Sequence, residues 1–445
     1  SYEAVGSFHF YFHKQTQFSR QKSKINDFEM VFVGLPIDIN NTHATSTEIA
    51  NNCIEIFDRE GPDGLLKYIA YLGGRFVAFI LQKDLIQAIP DCHATYACYF
   101  STVGKFIAAS HSNLIAKIKQ YQPGKAAAML NHPDYNEPGG KYFPALLTPY
   151  DEVKQLFPNC KLTYDSFDNN IKHERFYPLS FSNCSPENTV DESYKLFEDA
   201  FCKHLHGLTV GRQFYLSLTG GLDSRVTLAG LSRLKALNAC TAFTYYRPEN
   251  PTNESINDAF IASKISSDLR VPHKLVRLKA IDYGSEFHKM YSMSFAHGAR
   301  HPTLARAYYE ELPHNILSLV STCSETGTVF YTHREDTEIS AALLAKKFTT
   351  SKLQSHPSLI HEFDNYINFV QFTKTNIANL DFYDLFYWEH RNAKWASLWY
   401  SEADLAHFTV VPFNQRSIIE ALLSLPLSER QNRSILKRFI EHSNF

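Results

Sequence analysis

Short apolar and aromatic segments follow one another over the first 110 residues of the chain. Each is predicted to be a strand, and they lie at 4–12, 30–35, 76–81, 95–100 and 105–109. Residues 48–57 predict a helix, and a second helix follows the Gly-Pro-Asp-Gly turn at 61–64 and runs to Gly73 and Gly74. We therefore expect residues 1–180 to form a strand-rich α+β domain.

The pattern changes to alternating helices and strands after residue 190. Helices are predicted over 192–205, 224–234 and 256–269, and strands over 213–218, 239–245 and 273–276. This alternation is typical of a parallel sheet with helices on both faces. Beyond residue 333 apolar residues recur at three- and four-residue steps, which predicts a helical C-terminal part. A polar stretch at 177–188 separates the two patterns, so the predicted domains are 1–180 and 190–445.

Composition and charge exclude several classes of protein. The 445 residues exceed the ~250–300 at which one core stops growing, which also favours two domains. The 44 Lys and Arg against 46 Asp and Glu give no basic excess, so we expect neither nucleic acid nor a membrane as a partner. No apolar run of 18 residues and no secretory signal is readable, which predicts a cytoplasmic protein. The eight cysteines form no CxxC pair, and we interpret Cys92, His93 and Cys98 as strand residues rather than zinc ligands.

The segment 214–225 carries the strongest chemical signal. An apolar strand runs into a Gly-Gly turn and then a helix, a sequence in which backbone amides and hydroxyls can hold phosphate groups. An acid beside such a loop is explained if Mg²⁺ lies between carboxylate and phosphate. An Asp-capped helix after a tight turn would use the same residues. The residues predicted to hold phosphate groups here are Leu218, Thr219, Gly220, Gly221, Asp223 and Ser224.

This loop is similar to the SGGxDS loop of the PP-loop ATP pyrophosphatases, with Thr219 in place of the first Ser. The chain further resembles the asparagine synthetase superfamily in Leu-Gly-Gly-Arg-Phe-Val-Ala-Phe at 72–79, in Asp258 through His273, and in Val-Pro-Phe-Asn at 411–414. The resemblance implies an α/β fold class: an N-terminal glutamine-amidotransferase-like, Ntn-type sandwich, then a C-terminal PP-loop synthetase domain with a helical end.

The N-terminal part departs from the glutamine-hydrolysing members of that family. Those members start with a catalytic Cys, whereas this sequence starts Ser1-Tyr2-Glu3, and no glutamine-clamping string is visible. We expect that this domain does not supply ammonia from glutamine, as in the β-lactam synthetase and lasso-peptide cyclase branches. A structural role or a role in substrate binding remains for it.

The resemblance also implies catalytic and metal residues. Glu325, the only acid in 319–328, is carried over as a Mg²⁺ ligand beside Asp223, and a solvated loop acid is the alternative. Thr322 stands where β-lactam synthetase has a catalytic Tyr, which puts a Tyr–Glu dyad in doubt. The near-C-terminal cation that stabilises charge in the family matches either Arg433 or Lys437 here.

A helix predicted over 382–395 resembles the family's acid-bearing helix, with Glu389 in the catalytic position. Spacing of i and i+3 would point Glu389, Asn392 and Arg391 in one direction, and a surface Glu–Arg set on a core helix is the alternative.

Two further groups are candidates for binding. Tyr245 follows the second parallel strand, where the family's fold places adenine, or it covers the sheet edge. His297, Arg300 and His301 could bind a carboxylate or phosphate of the substrate, although such clusters are as often surface or helix-end residues.

Together these features predict an AMP- and pyrophosphate-forming carbon–nitrogen ligase that uses ATP and Mg²⁺. It would adenylate a carboxylate and transfer it to an amine, either within one small molecule or peptide or between two, without glutamine hydrolysis. A biosynthetic partner protein is compatible with this function. The alternatives are an ammonia-using amidotransferase acting on a small or sugar acid, and a degenerate protein that binds nucleotide without catalysis.

Overall fold

The computed structural model describes residues 1–5, 7–129, 132–135, 142–179, 188–249, 251–298 and 300–443. The strands in this part of the chain are β1 (Tyr2–Val5), β2 (Phe8–Tyr11), β3 (Phe18–Lys22), β4 (Glu29–Ile37), β5 (Gly73–Gln82), β6 (Leu85–Pro90), β7 (Tyr99–Ser101), β8 (Ala108–Ala109), β9 (Val153–Gln155), β10 (Cys160–Asp165), β11 (Asn170–Arg175), β12 (Phe214–Ser217), β13 (Cys240–Tyr246), β14 (His273–Arg277), β15 (Leu317–Val320) and β16 (Phe408–Val410).

The α-helices of the same ranges are α1 (Ser46–Tyr71), α2 (Ser112–Lys119), α3 (Lys125–Met129), α4 (Val190–Thr209), α5 (Leu222–Arg233), α6 (Asn253–Asp268), α7 (Glu286–Ser294), α8 (Pro302–Glu311), α9 (Ala341–Phe348), α10 (Pro357–Phe369), α11 (Lys374–Ile377), α12 (Phe382–Phe386), α13 (Ser397–Ala403), α14 (Arg416–Leu423), α15 (Leu427–Gln431) and α16 (Ser434–Glu441). A π-helical segment, Tyr387–Ala396, joins α12 to α13. None of the helices in the described ranges combines the length and apolar character that a membrane span needs.

The N-terminal part is built on a six-stranded antiparallel sheet with the order β11-β10-β6-β5-β4-β3. Helix α1 covers one face, where Ile49 and Cys53 pack with Phe32 and Phe76. The small sheet β8-β7-β9 lies on the other face and brings Phe100 into the core. The predicted pair of helices is a single element broken at Gly61, whose φ of 72° lies in the left-handed region that glycine tolerates.

The C-terminal part contains a parallel five-stranded sheet with the order β14-β13-β12-β15-β16. Its core is formed by the buried residues of β12, β13 and β15 together with those of α4 and α5, including Leu216, Val226 and Leu319. Helix α4 starts at a capping box in which Thr189 and Glu192 bind each other's backbone amides. The mixed α/β fold class predicted from the sequence is confirmed, including the largely helical end, whereas β15 and β16 were not predicted.

The interpretation of Cys92, His93 and Cys98 as strand residues is wrong. They lie in a loop between β6 and β7, because the Asp91 carboxylate accepts the amides of His93 and Thr95 that a strand would donate to its neighbour. Within the described ranges no three His, Cys, Asp or Glu side chains form a group that could hold a metal, and the seven cysteines found there are free thiols. Cys184 lies outside the described residues.

Buried polar contacts join the N-terminal and C-terminal parts. The Gly74 amide donates to His204 Nε2 at 2.8 Å, and Arg75, 1% exposed, pairs with Asp404 at 2.6 Å. Most of the predicted linker, residues 180–187, lies outside the described residues, so the division at 180–190 stays a prediction.

Candidate active site

The glycine loop lies at the C-terminal edge of the parallel sheet, between β12 and α5. Ser224 fixes the shape of the loop. Its hydroxyl accepts a hydrogen bond from the Thr219 amide at 3.1 Å and donates one to the Thr219 carbonyl at 3.2 Å. The Gly221 amide donates to Thr219 Oγ1 at 3.0 Å. Leu218 is buried beneath the loop, and its carbonyl accepts from the Thr244 hydroxyl of β13. The predicted phosphate-binding residues therefore form one continuous turn.

Helix α6 contributes an acid to the same loop. The Gly220 amide donates to Asp258 Oδ1 at 2.8 Å, and a Cβ on Gly220 would lie 3.0 Å from that oxygen and 3.0 Å from Ile261 Cδ1, so glycine fits here most easily. Because the amides of both loop glycines are already bonded, the amides left for an anion are those of the first turn of α5. Asp258 was quoted in the family resemblance but was not predicted as a site residue.

The two predicted metal ligands come together at this edge. β12 and β15 are adjacent parallel strands, so the residues that follow them meet. The Ser324 hydroxyl donates to Asp223 Oδ1 at 2.7 Å, and Glu325 is the next residue along the chain. Cys323 adopts a left-handed φ of 71°, which turns the backbone into the short helical turn Ser324–Thr326. A 2.7 Å contact between the hydroxyls of Thr227 and Ser321 links α5 to the residue that follows β15.

Glu325 is in an unfavourable setting for a carboxylate. Its Oε2 is closed off from solvent and has no hydrogen-bond partner in the described structure. Burial raises the pKa of Glu325 above its usual value, and the Asp223 charge raises it further, while the charge of Arg433 and a hydrogen bond from Tyr387 oppose this. Two carboxylates with an unused oxygen suit Mg²⁺, which takes one or two protein carboxylates and completes its shell with phosphate and water.

The structure separates the two cation candidates. Arg433, with a left-handed φ of 53°, lies just before α16 and places its Nη1 3.5 Å from Asp223 Oδ2. Lys437 is exposed one turn further along α16. Arg433 is therefore the cation that lies beside the two acids.

Two tyrosines that were not predicted close this side of the site. The hydroxyl of Tyr400, from α13, hydrogen-bonds Thr322 Oγ1 and lies 3.8 Å from Cys323 Sγ. Tyr387, from the π-helical segment, is buried beside Glu325. Thr322 thus stands where a Tyr was expected from the family, and a phenol from another element reaches it. Both are aromatic residues in an apolar helix pattern, which sequence reasoning assigns to the core.

Glu389 occupies a different environment. Its carboxylate, 0% exposed, forms a two-point ion pair with Arg175 of β11 at 2.6 and 2.7 Å and accepts from Asn159 at 2.9 Å. The expectation that Asn392 and Arg391 point the same way is wrong. Asn392 donates to Thr326 Oγ1, and Arg391 lies over the Phe330 ring and bonds the Tyr142 hydroxyl. A catalytic role for Glu389 stays a prediction, while its contacts link the two halves of the chain.

Of the predicted substrate residues, Arg300 is the most unusual. It is 6% exposed, and its guanidinium carbon lies 3.6 Å from the centroid of Trp395 and 5.7 Å from that of Trp399. Glu402 is nearby, but its oxygens accept the backbone amides of Arg300 and His301. Among the described residues the Arg300 side chain has no ion pair or hydrogen bond, and its Nε is closed off from solvent. Burial lowers its pKa to about 9.

The remaining predicted residues surround this position unequally. Burial raises the pKa of Tyr245 at the end of β13, and the charge of Arg300 opposes that rise. His301 is held neutral, since burial and the charges of Arg300 and Arg247 lower its pKa to about 3. His297 is exposed in a turn and packs edge-on against Tyr150. The structure thus places Tyr245 within electrostatic range of Arg300 and leaves His297 at the surface.

No protein-family model matches the chain, and no curated protein matches it in sequence. Among solved structures it is similar to the glutamine PRPP amidotransferase of B. subtilis in complex with ADP and GMP, with a TM-score of 0.24, 10% identity, and coverage of 77% of this chain and 61% of that one. It is also similar to a structure described as the allosteric regulatory enzyme of purine biosynthesis, with a TM-score of 0.24, 10% identity, and coverage of 77% of this chain and 60% of that one. A third similar structure is the glutamine-dependent NAD⁺ synthetase of Acinetobacter baumannii in complex with ADP, with a TM-score of 0.22, 13% identity, and coverage of 70% of this chain and 69% of that one. The chain spans about three fifths of the first two, and likeness at these TM-scores does not indicate an activity.

Proposed function

We propose that the chain is an ATP-dependent amide synthetase that forms AMP and pyrophosphate. The carboxylate of an acid attacks the α-phosphorus of ATP and pyrophosphate leaves; an amine then attacks the acyl-adenylate and AMP leaves. A free carboxylate resists attack by an amine because it is negatively charged and lacks a leaving group, which adenylation supplies. The observation that supports this best is the approach of Asp223 and Glu325 beside a glycine loop that opens a helix.

Each part of the loop has a role in this proposal. The free amides at the start of α5 and the Thr219 hydroxyl would hold the pyrophosphate. Asp223 and Glu325 would hold Mg²⁺, which when bound neutralises the charge of the departing pyrophosphate. Arg433 lies beside Asp223 and would neutralise charge that develops on the phosphates.

Arg300 supports a carboxylate as the second ligand. A buried guanidinium stays charged and is costly without a paired counter-charge. The charge of Glu402 offsets part of this cost, but its oxygens accept backbone amides and it forms no ion pair with Arg300. An acid bound over Trp395 would pair with Arg300 near the end of β13, where ATP is expected. The substrate is therefore proposed to carry a carboxylate and an amine, in one small molecule or peptide or in two.

Pyrophosphate release tests the proposal directly. The full chain is incubated with ATP, Mg²⁺ and pooled candidate acids, alone and with amines. We expect release that depends on one acid and falls by about 10²–10³-fold in Asp223→Asn, the range for losing one group that stabilises transition-state charge. The matched control is Asp364→Asn, an exposed position in α10 that should retain full activity. If ATP binds but no acid and amine release pyrophosphate, the adenylation proposal is wrong and nucleotide binding alone remains.

A further inference from the structure

A small cavity lies between the N-terminal and C-terminal parts of the chain. Its volume is about 50 Å³, several times the ~10–15 Å³ that one water molecule needs. It is lined by the residues around the start of α2, by the segment before β9, and by residues of α7, the π-helical segment and α13. None of these residues belongs to the glycine loop or to the Asp223–Glu325 pair, and within the described ranges no Asp or Glu lines the cavity.

Among the described residues, Lys394 is the one Lys or Arg that lines this cavity. It is 6% exposed, and its Nζ donates to the Leu147 carbonyl at 2.6 Å. An ammonium has three donors, and within the described ranges Lys394 has neither a second hydrogen bond nor an ion pair. Burial without a compensating charge lowers its pKa to about 7. The cavity thus contains an amine with unused hydrogen-bonding capacity.

His111 adds a second unused polar atom. Its Nδ1 lies 2.9 Å from the Ser110 hydroxyl, and its ring packs edge-on against Phe295. The Nε2 atom is closed off from solvent and has no partner in the described structure. Burial lowers the pKa of His111 to about 4, so the ring is neutral, and when Nδ1 accepts from Ser110 the proton is on Nε2. His111 thus lines the same cavity as Lys394 and carries a buried donor that has no partner among the described residues.

The other walls define the kind of molecule that fits. Phe143, Phe295 and Leu398 give the cavity an apolar side, which favours a carbon skeleton over a strongly hydrated ion. One lysine balances one negative charge, so a dianion such as phosphate would keep an unpaired charge in a largely buried place.

We propose that this cavity binds a small monocarboxylate, whose oxygens accept hydrogen bonds from Lys394 Nζ and His111 Nε2 and whose carbon skeleton packs against Phe143, Phe295 and Leu398. The site lies apart from the glycine loop and the Asp223–Glu325 pair, although its lining residue Lys394 directly precedes Trp395, and it requires no ATP. Binding converts a largely neutral lysine into the charged partner of an ion pair, so above neutral pH it takes up a proton.

Several titratable groups surround Lys394. Across the cavity they are Tyr99, whose pKa is raised by burial, Tyr142 and His111; on its own segment they are His390, whose pKa is lowered well below its usual value by burial first, and Arg391. The shifts resolved among them move titration away from the range between pH 6 and 9.

Isothermal calorimetry of the full chain without ATP or Mg²⁺ tests the site. Acetate, propionate and butyrate are titrated at pH 8 in two buffers of different ionisation enthalpy. We expect one acid bound per chain, uptake of nearly one proton, and an affinity that falls about tenfold per pH unit above pH 7. Lys394→Met should weaken binding at least tenfold, while Lys172→Met, an exposed position in β11, should leave it unchanged.

Three results would overturn the proposal: no binding of any of these acids at tens of millimolar, binding without proton uptake, or equal affinity in Lys394→Met. The variant should fold, since methionine places no charge in the buried position, and a thermal melt checks this. The proton uptake and pH dependence are measured on the unaltered chain, so the test does not depend on that variant.

Discussion

Replacing Glu325 with Gln should make the chain more stable and less active at the same time. Glu325 has a buried oxygen without a partner and lies beside the charge of Asp223, so its ionised form is destabilised in the folded state. An unsatisfied buried polar atom costs about 1–3 kcal/mol, and more when it is charged. Gln has nearly the same size and carries no charge. Glu325→Gln should therefore raise the free energy of unfolding by about 1–2 kcal/mol in Mg²⁺-free buffer at pH 8.

The pH dependence follows from the direction of the shift. A carboxylate whose pKa is raised by folding is less costly to the folded state when it is protonated. As the pH rises from 4.5, its pKa in the unfolded chain, through its higher pKa in the folded chain, the carboxylate ionises and the folded state loses stability. The stability advantage of Glu325→Gln should therefore be largest at pH 8 and should shrink as the pH falls toward 4.5. Thermal unfolding at several pH values measures it, with the exposed Glu55→Gln of α1 as the control that should not change.

Mg²⁺ should reverse the order of stability. If Asp223 and Glu325 hold the ion, millimolar Mg²⁺ with ATP raises the melting temperature of the unaltered chain more than that of Glu325→Gln, because a ligand that binds only the folded state stabilises it. Pyrophosphate release should fall by about 10²-fold or more in the variant. A variant that is less stable than the parent at pH 8, or one that keeps full activity, would contradict this account of the pair.

Further predictions concern the neighbouring residues. Arg433→Ala should lower kcat by about 10²-fold, whereas Lys437→Ala should stay within about twofold, since only Arg433 lies beside Asp223. Glu389→Gln should cost about 3–5 kcal/mol in thermal unfolding because Arg175 keeps a buried charge, and Glu389→Met combined with Arg175→Met should recover most of this loss. Arg300→Gln should raise the KM for the acid at least tenfold and change the KM for ATP little, which steady-state kinetics with each substrate varied would show.

The glycine loop could be predicted because all of its signals are local. An apolar strand, two glycines and a capped helix follow one another within a dozen residues, and each part has its own physical reason. The partners of the loop could not be predicted in the same way. Ser324 and Tyr387 reach Asp223 and Glu325 from other elements of the sequence, and only the pairing of β12 with β15 and the path of the C-terminal helices bring them there.

The segment around Glu389 shows a different reason for failure. Predicted as an α-helix, it is π-helical from Tyr387 to Ala396, so residues three apart no longer share a face. Glu389 therefore turns to Arg175, while Asn392 turns to Thr326 near the acids. A change of helical period within an apolar pattern leaves no mark in residue types, and the geometry becomes visible only when both partners are placed.

The same segment explains what the N-terminal part does for the site, whatever chemistry it has of its own. Tyr387 closes one side of Glu325, and two residues later Glu389 is fixed by Arg175 of β11 in the N-terminal part. Further along, Lys394 bonds the Leu147 carbonyl, also in the N-terminal part. Because the π-helical segment is held at both points by the other half of the chain, the position of Tyr387 beside the acid pair depends on contacts that the parallel sheet does not provide. Loss of the Arg175 contact should therefore disturb the site as well as the stability of the chain. We expect Arg175→Met to lose activity, and we expect that added Mg²⁺ does not restore it.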